Sequence, residues 1–404
     1  MLRNDDEVRF VRYFQPSSDP AEGLGVLVLF RLIEESVPAF FRPDRRILIT
    51  RAPGRLDVLG GRAPGPGSLV LQMPIAEAAC LALQDRDDDL VRLWSPCRDG
   101  SRTQLLSMRL PDLGLPGHAI DYDEAQALLL ADPSDRWAGY LLGSLLVLAR
   151  ERGLVPTRGA EVLLHSDIPV AAGVGSSTAI TIAALRAFAL QAGVALDAVE
   201  VARLATIVER EVMRTPVRSA MARALVSAEA GELLALRGDG VEQSLVVPSD
   251  LEIVGLDTGV ATAGARDGGL EAGDDARAER FRELWQAEPT FAHRHELGDL
   301  LFAAHAAYGQ GGRGNVVADI VVDAAKQRRD AGGAVFGAKA TGRGAGGTVV
   351  LVGQHGKVWY EALRIKKAVL TATGHSAHVF RWSSPGAMAF GSIELMPGAN
   401  GDRD

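Results

Sequence analysis

The segment from residue 169 to 178 constrains this chain most. It reads Pro169-Val170-Ala171-Ala172-Gly173-Val174-Gly175-Ser176-Ser177-Thr178 and runs straight into an apolar stretch over 179–192. Gly173 and Gly175 let the backbone approach a ligand with no Cβ in the way. Ser176, Ser177 and Thr178 supply hydroxyls at the start of the predicted helix. Free N–H groups and the helix dipole there favour a phosphate. No lysine follows the last glycine, so this is not a Walker loop, and the spacing is not that of a dinucleotide-binding Gly-x-Gly-x-x-Gly turn. A capped helix after a glycine turn is the plain structural alternative.

Around this loop the pattern predicts helices over 24–37, 135–152, 198–214, 297–308, 316–329 and 360–373. The second of these carries Trp137, Tyr140, Leu141, Leu145 and Leu148 at helical spacing and ends at Gly153. Strands are predicted over 47–50, 68–74, 78–83, 161–164, 233–236, 253–257, 335–339, 348–352 and 377–381. Ala52 to Arg55 reads as a turn, and Pro74 as an interruption between two strands. Residues 259–280, rich in Gly, Ala, Asp and Arg, read as a mobile surface loop leading into a helix. Strands and helices mix without regular βαβ alternation, which points to an α+β fold.

A chain of 404 residues with 47% hydrophobic and 23% charged residues can bury a sizeable core without staples. Its net charge of −8 disfavours nucleic acid and anionic lipid as partners. Cys80 and Cys97 are the two cysteines, too few for a zinc or redox motif. No apolar run is long enough to span a bilayer. The opening residues lack a secretory core, so the expectation is a cytoplasmic protein with no membrane partner.

Two further motifs fit the same chemistry as the loop. Arg51-Ala52-Pro53-Gly54-Arg55-Leu56-Asp57 presents Arg55, a fixed fork of donors suited to phosphate or carboxylate; a surface arginine is the bland reading. Gly337-Ala338-Lys339-Ala340-Thr341-Gly342-Arg343-Gly344-Ala345-Gly346-Gly347-Thr348 places a glycine cluster between two strands, where backbone can approach a ligand closely or simply form a flexible hairpin.

In this order the three motifs resemble the GHMP kinase superfamily, and most of all its galactokinase and L-arabinokinase branch. The likeness covers nearly the whole chain from Arg51 onward and extends to 67–74, 132–153 and 383–386. It implies an α+β, two-domain fold: an N-terminal extension over 1–46, a domain like the second domain of ribosomal protein S5 over 47–245, and a ferredoxin-like domain over 246–404. The resemblance also implies ATP and magnesium in the cleft between the domains. Gly173, Val174, Gly175, Ser176, Ser177 and Thr178 would form the phosphate loop, and Ser177 and Glu209 would hold the metal. Thr341, Gly342, Gly344 and Gly346 would close over phosphates and a small-molecule acceptor. The number of subunits stays open.

The pattern breaks in two places. Pro64 and Gly65 stand where the branch has an Asp-Tyr pair that grips sugar hydroxyls. Ala222 and Arg223 stand where it has its catalytic aspartate and a glutamine, and alanine accepts no proton. Losing the base does not by itself abolish phosphoryl transfer, which depends mostly on positioning and charge. Arg55, Arg218 or Arg223 would then stabilise the migrating group or bind an anionic acceptor. Three readings stand: a kinase for a sugar or similar metabolite, a kinase for an anionic acceptor (favoured by Arg62, Arg218 and Arg223), and a non-catalytic nucleotide or metabolite sensor. Weaker candidates are the pair His293 and His295, His305, Trp94, and Asp274 with Asp275; each reads better as surface, packing or loop.

Overall fold

The structure, a computed structural model, describes residues 10–14, 24–36, 39–60, 68–97, 100–215, 219–238, 240–260, 274–310, 315–342 and 347–397. In chain order it runs β1 (Phe10–Phe14), α1 (Leu24–Ser36), β2 (Ile47–Gly60), β3 (Leu69–Asp85), β4 (Leu90–Trp94), β5 (Leu105–Arg109), α2 (Tyr122–Leu129), α3 (Arg136–Arg152), β6 (Ala160–Ser166), α4 (Ser176–Gln191) and α5 (Ala198–Ile207). Then follow α6 (Ser219–Ser227), β7 (Glu232–Arg237), β8 (Gly240–Val246), β9 (Leu251–Asp257), α7 (Asp274–Gln286), α8 (Phe291–Gln310) and α9 (Val316–Asp330). The chain continues through β10 (Val335–Ala340), β11 (Thr348–Gln354), α10 (Val358–Thr373), β12 (His378–Phe380), α11 (Ala387–Phe390) and β13 (Ile393–Pro397).

β2 and β3 are longer than the pattern predicts. The turn expected at Ala52–Arg55 is instead an irregularity inside one buried strand, with the register shifting between Pro53 and Arg55. Nor does Pro74 interrupt β3: it stands opposite Arg55 in the ladder. Pro74 has no N–H to give, and the Arg55 N–H is spent elsewhere, on the Val174 carbonyl at 2.8 Å. The two defects coincide, so neither leaves a backbone group orphaned. Gly54 is required here, because a Cβ would lie 2.9 Å from that same carbonyl.

The larger sheet orders its strands β1-β13-β2-β3-β6-β4-β5, with β7 and β8 paired onto β3. Ala79, Leu81 and Leu83 of β3 enter the main core with α3, α4 and α5. Ala78, Cys80 and Ala82 face the opposite cluster, with Val26, Leu29 and Ile33 of α1. Burial on both faces explains why these strands read as continuous apolar runs and not as alternating ones.

The second sheet has the order β10-β11-β9-β12. Val254, Leu256, Val349 and Leu351 pack under α9 and α10, while Ile253, Val350 and Val352 turn toward the main core. β13 leaves this region and pairs with β2, Ile393 opposite Ile49. The helix predicted over 198–214 ends early, at Ile207, and passes into a wider π turn, Val208–Val212. Asp274, expected in a solvated loop, is buried at the start of α7, and the Asp275 carboxylate accepts from the Leu69 N–H at 3.0 Å. The loop predicted over 259–280 falls mostly on 261–273, outside the described residues.

Candidate active site

The phosphate-loop segment crosses from β6 to α4. Gly173 and Gly175 have φ of 81° and 86°, and Ala171 joins them at 61°, a left-handed conformation that costs a non-glycine residue about 1 kcal/mol. Gly175 is the N-cap of α4, so the first-turn N–H groups of Ser176, Ser177 and Thr178 face the loop. Two distant strands fix its shape. β2 donates the Arg55 N–H to Val174, and β11 donates the Thr348 hydroxyl to the Ala172 carbonyl at 2.7 Å. Gly342 closes from the third side: a Cβ there would lie 2.8 Å from the Gly173 carbonyl.

Under the loop lies an unusual group of charges. Arg55 is fully buried, and none of its guanidinium nitrogens hydrogen-bonds any described residue. Its Nε is 3.2 Å from Asp57 Oδ1, close enough to attract but not aligned to bond. Its Nη1 reaches the space a Cβ would need at Gly175. Glu209, on the π turn, is 1% exposed. Thr178 Oγ1 lies 3.0 and 3.1 Å from its two oxygens. Burial pushes the Glu209 carboxyl above its usual range, partly offset by Ser177, Thr178 and the charge of Arg55. A buried guanidinium with no hydrogen bonds among the described residues and a buried carboxylate with only hydroxyl donors each cost free energy unless a ligand completes them.

Behind Arg55 the network continues. Gln72 Nε2 donates to Asp57 Oδ1 at 2.6 Å. The Asp57 N–H donates to Thr341 Oγ1 at 2.6 Å, and Lys339 Nζ donates to the Asp57 carbonyl at 3.3 Å. Lys339 is 1% exposed. Asp57, Gln72 and Lys339 were not singled out by the sequence reading. Reading residues 47–60 as one strand would have placed Asp57 on the Arg55 face, two positions on.

From the loop a cleft of about 850 Å³ runs outward between α3, β6 and α1. Trp137 and Tyr140 of α3 line it, as do Arg102, His165 and Val28. Arg102 stacks over the Trp137 ring at 4.8 Å and donates to Ser95 Oγ at 2.7 Å; Trp137 Nε1 is buried without a partner among the described residues. His165 pairs with Asp167 at 2.8 Å.

The structure therefore brings Arg55, Gly173 to Thr178, Glu209, Thr341 and Gly342 together. It does not bring Arg223 into the cleft wall. Met221 of α6 lines the cleft, Ala222 is buried in the core, and Arg223 is half-buried, with no hydrogen bond from Nε or Nη1 to any described residue. Pro64, Gly65, Arg62, Arg218, Gly344 and Gly346 lie outside the described residues. His293 and His295 are apart from the cleft: His293 Nδ1 meets the Glu288 carbonyl, and His295 packs against Phe291 and Phe336. His305 bonds Asp319 and the Ala340 N–H, and Trp94 packs on Phe40. Cys80 and Cys97 form no disulfide among the described residues, and burial pushes the Cys80 thiol up to about 12. Among the described residues no group of three or more His, Cys, Asp or Glu side chains could hold a metal, and no helix is long and apolar enough to cross a membrane.

Residues 139–222 match the family model for the N-terminal domain of GHMP kinases. The chain is 25% identical to L-arabinokinase of Arabidopsis thaliana over 88% of its own length and 47% of that protein's. It is 29% identical to galactokinase of Chloroflexus aggregans over 55% of its length and 51% of the relative's. The chain thus spans about half the length of these curated relatives. Lactococcus lactis galactokinase complexed with galactose superposes with a TM-score of 0.73 at 16% identity, covering 89% of this chain and 99% of that one. Methanococcus jannaschii mevalonate kinase superposes at 0.61 and 17% identity, covering 83% and 98%. With its α+β architecture and its glycine loop capping α4, the chain matches the N-terminal domain model of GHMP kinases over 139–222, is similar in sequence to L-arabinokinase and galactokinase, and shares the galactokinase fold.

Proposed function

We propose that this protein is an ATP-dependent kinase that transfers the γ-phosphoryl group to a hydroxyl of a sugar or sugar-like metabolite. The observation that carries this reading is Arg55: a fully buried guanidinium with no hydrogen-bond partner among the described residues, set against Gly175 at the end of the glycine loop. Such an arrangement suits an anion that arrives with the substrate. The N–H groups at the start of α4 would hold phosphate oxygens, and the open stretch by Trp137, Tyr140 and Arg102 is large enough for a nucleoside.

The donor set fits magnesium. Ser177 and Glu209 are hard oxygen ligands beside the loop, and a buried carboxylate with raised affinity for a proton is equally a carboxylate that a cation would stabilise. The ion's remaining ligands would be phosphate oxygens and water. When bound, it would neutralise phosphate charge during transfer. The chain's own contribution is to fix the phosphates on the loop, to place Arg55 where negative charge develops, and to exclude water by closing Gly342 over Gly173.

Ala222 favours a second reading, a nucleotide-binding sensor without turnover. It is buried where the resemblance implies a catalytic aspartate, and Arg223 does not replace it in the cleft. ADP release from Mg-ATP, measured against neutral monosaccharides, uronic acids and sugar phosphates, separates the two. Turnover that the double variant Ser177→Ala, Glu209→Ala lacks supports the kinase. Mg-ATP binding without turnover on any acceptor supports the sensor.

A further inference from the structure

We infer that Arg223 and Ser227 form a second anion site, on the back of α6, that takes a small carboxylate and through that helix tunes nucleotide binding. The site goes beyond the kinase reading and lies outside the cleft described above. Arg223 Nε and Nη1 and Ser227 Oγ are shut off from solvent, and none of them hydrogen-bonds any described residue. Four positions apart on one helix, the two side chains share a face, one turn from each other. Both residues are only half-buried, so the group is within reach of solvent. Other buried polar atoms without a hydrogen bond are placed differently. Arg294 Nη1 belongs to a guanidinium already paired with Asp250, and Glu161 Oε2 to a carboxylate that takes Arg86 and Arg92. Arg223 has no carboxylate partner among the described residues.

A cation and a hydroxyl held without partners carry a free-energy cost that an arriving anion relieves. Charge decides the class of that anion. One guanidinium and one neutral hydroxyl balance a single negative charge, which a carboxylate carries and a phosphate at neutral pH exceeds. The C-terminal end of α6 opposes an anion, but that effect is confined to the last turn and is weaker than a charge-assisted bond to arginine. The opposite face of the same helix serves the cleft. Met221 lines it, and Leu225 Cδ2 lies 3.7 Å from the place a Cβ would take at Gly175. Arg223 stands two positions from each, and at about 100° per residue it points away from that face. The Gly386 N–H donates to the Ala228 carbonyl at 2.7 Å, which fixes the end of α6 to the segment before α11. A ligand on Arg223 thus acts on a helix that is held at one end and supports the glycine loop with its other face. Linkage then requires nucleotide and carboxylate to change each other's affinity by one common factor.

The test titrates the full chain with acetate, pyruvate and inorganic phosphate, with and without saturating Mg-ADP, by calorimetry and thermal shift. Ionic strength is held constant with chloride. With Mg-ADP filling the loop, acetate or pyruvate is expected to bind saturably and more tightly than phosphate. Arg223→Met should weaken that binding roughly tenfold or more, and Ser227→Ala severalfold. An arginine with a merely structural role would move the melt and leave the carboxylate isotherm alone. In the wild type the carboxylate Kd should differ by about threefold or more between the free chain and the Mg-ADP complex, and the difference should vanish in Arg223→Met. If Arg223→Met fails to fold, Arg223→Gln and Ser227→Ala carry the same comparison. Carboxylate binding that these variants leave unchanged overturns the inference. So does the lack of any saturable carboxylate binding, phosphate binding tighter than carboxylate in the Mg-ADP complex, or a carboxylate Kd indifferent to Mg-ADP. A wild type that binds carboxylate through Arg223 but holds no Mg-ADP overturns the kinase reading and the coupling, and upholds the site.

Discussion

Arg51 and Arg55 lie four residues apart on the same strand, both are buried, and they behave in opposite ways. Arg51 donates to the Pro385 carbonyl at 3.2 Å, the Ala76 carbonyl at 2.8 Å and Ser384 Oγ at 2.8 Å, and its guanidinium stacks 5.6 Å over the Phe390 ring. The Arg55 guanidinium hydrogen-bonds none of the described residues and has only the Asp57 carboxylate, at 3.2 Å, to attract it. Burial alone would rank them equal. The difference is satisfaction: one arginine is a rivet between β2 and the segment leading to β13, and the other keeps its donors unspent among the described residues.

That contrast can be broken by exchanging each arginine for a chain of similar length without charge. Arg55→Met should lower kcat/KM for the proposed kinase by about 10³-fold, roughly 4 kcal/mol of transition-state stabilisation. Its thermal midpoint should change little, because losing the attraction to Asp57 is offset by removing a buried guanidinium that has no hydrogen bonds among the described residues. Arg51→Met should do the reverse. Several carbonyls and a hydroxyl lose their donor, so unfolding free energy should fall by about 3 kcal/mol while activity per folded molecule persists. Urea denaturation and steady-state assays on the two variants would collapse the distinction if both lost the same property.

Glu209 sharpens the same contrast from the acidic side. Its carboxyl binds a proton more tightly in the folded chain than in the unfolded one, chiefly through burial. Its contribution to stability is therefore fully present at acid pH, below the unfolded value, and is lost as pH rises through the raised folded value. Metal-nucleotide affinity should run the opposite way, weakening as pH falls through that folded value, because a protonated acid cannot hold the ion. Glu209→Gln should flatten both dependences and cut activity about 10²-fold, read by calorimetry of Mg-ADP across pH.

The smallest effect is expected at the loop. A methyl group at Gly175 would sit in a left-handed backbone and collide with Arg55 Nη1. Gly175→Ala should cost about 1–2 kcal/mol of folding stability, lowering the melt by a few degrees, and raise the nucleotide Kd about tenfold.

The glycine loop that caps α4 was legible in the sequence because its signal is local: glycines, hydroxyls and a helix start follow one another within a few residues. Glu209 came from the family resemblance, and the structure places it against Thr178. What local pattern could not reveal was the company Arg55 keeps. The strand that carries it looked like a turn, since Pro53-Gly54 normally ends a strand; the Val174 carbonyl rescues that break from 119 positions away (174 − 55). Asp57 was hidden by the same misreading, because its shared face with Arg55 exists only once β2 is continuous. Ala222 was visible as a departure, but whether a neighbour compensates depends on tertiary placement, and there Arg223 turns out not to reach the cleft.

The pairing of β13 with β2 carries a consequence for how such a chain matures. Arg51 finds Pro385 across 334 positions of chain, and Ile49 finds Ile393. During synthesis the strand bearing Arg55 emerges early and waits, one flank unpaired and its riveting arginine unsatisfied, while α3 to α10 are threaded out behind it. The nucleotide cleft on a nascent chain therefore has its loop and its helix long before it has a stiff floor. Contacts this far apart in sequence form slowly and leave an apolar edge open in the meantime. A stiff floor under the loop therefore needs the strand at 393–397 as well as the segment that forms the loop.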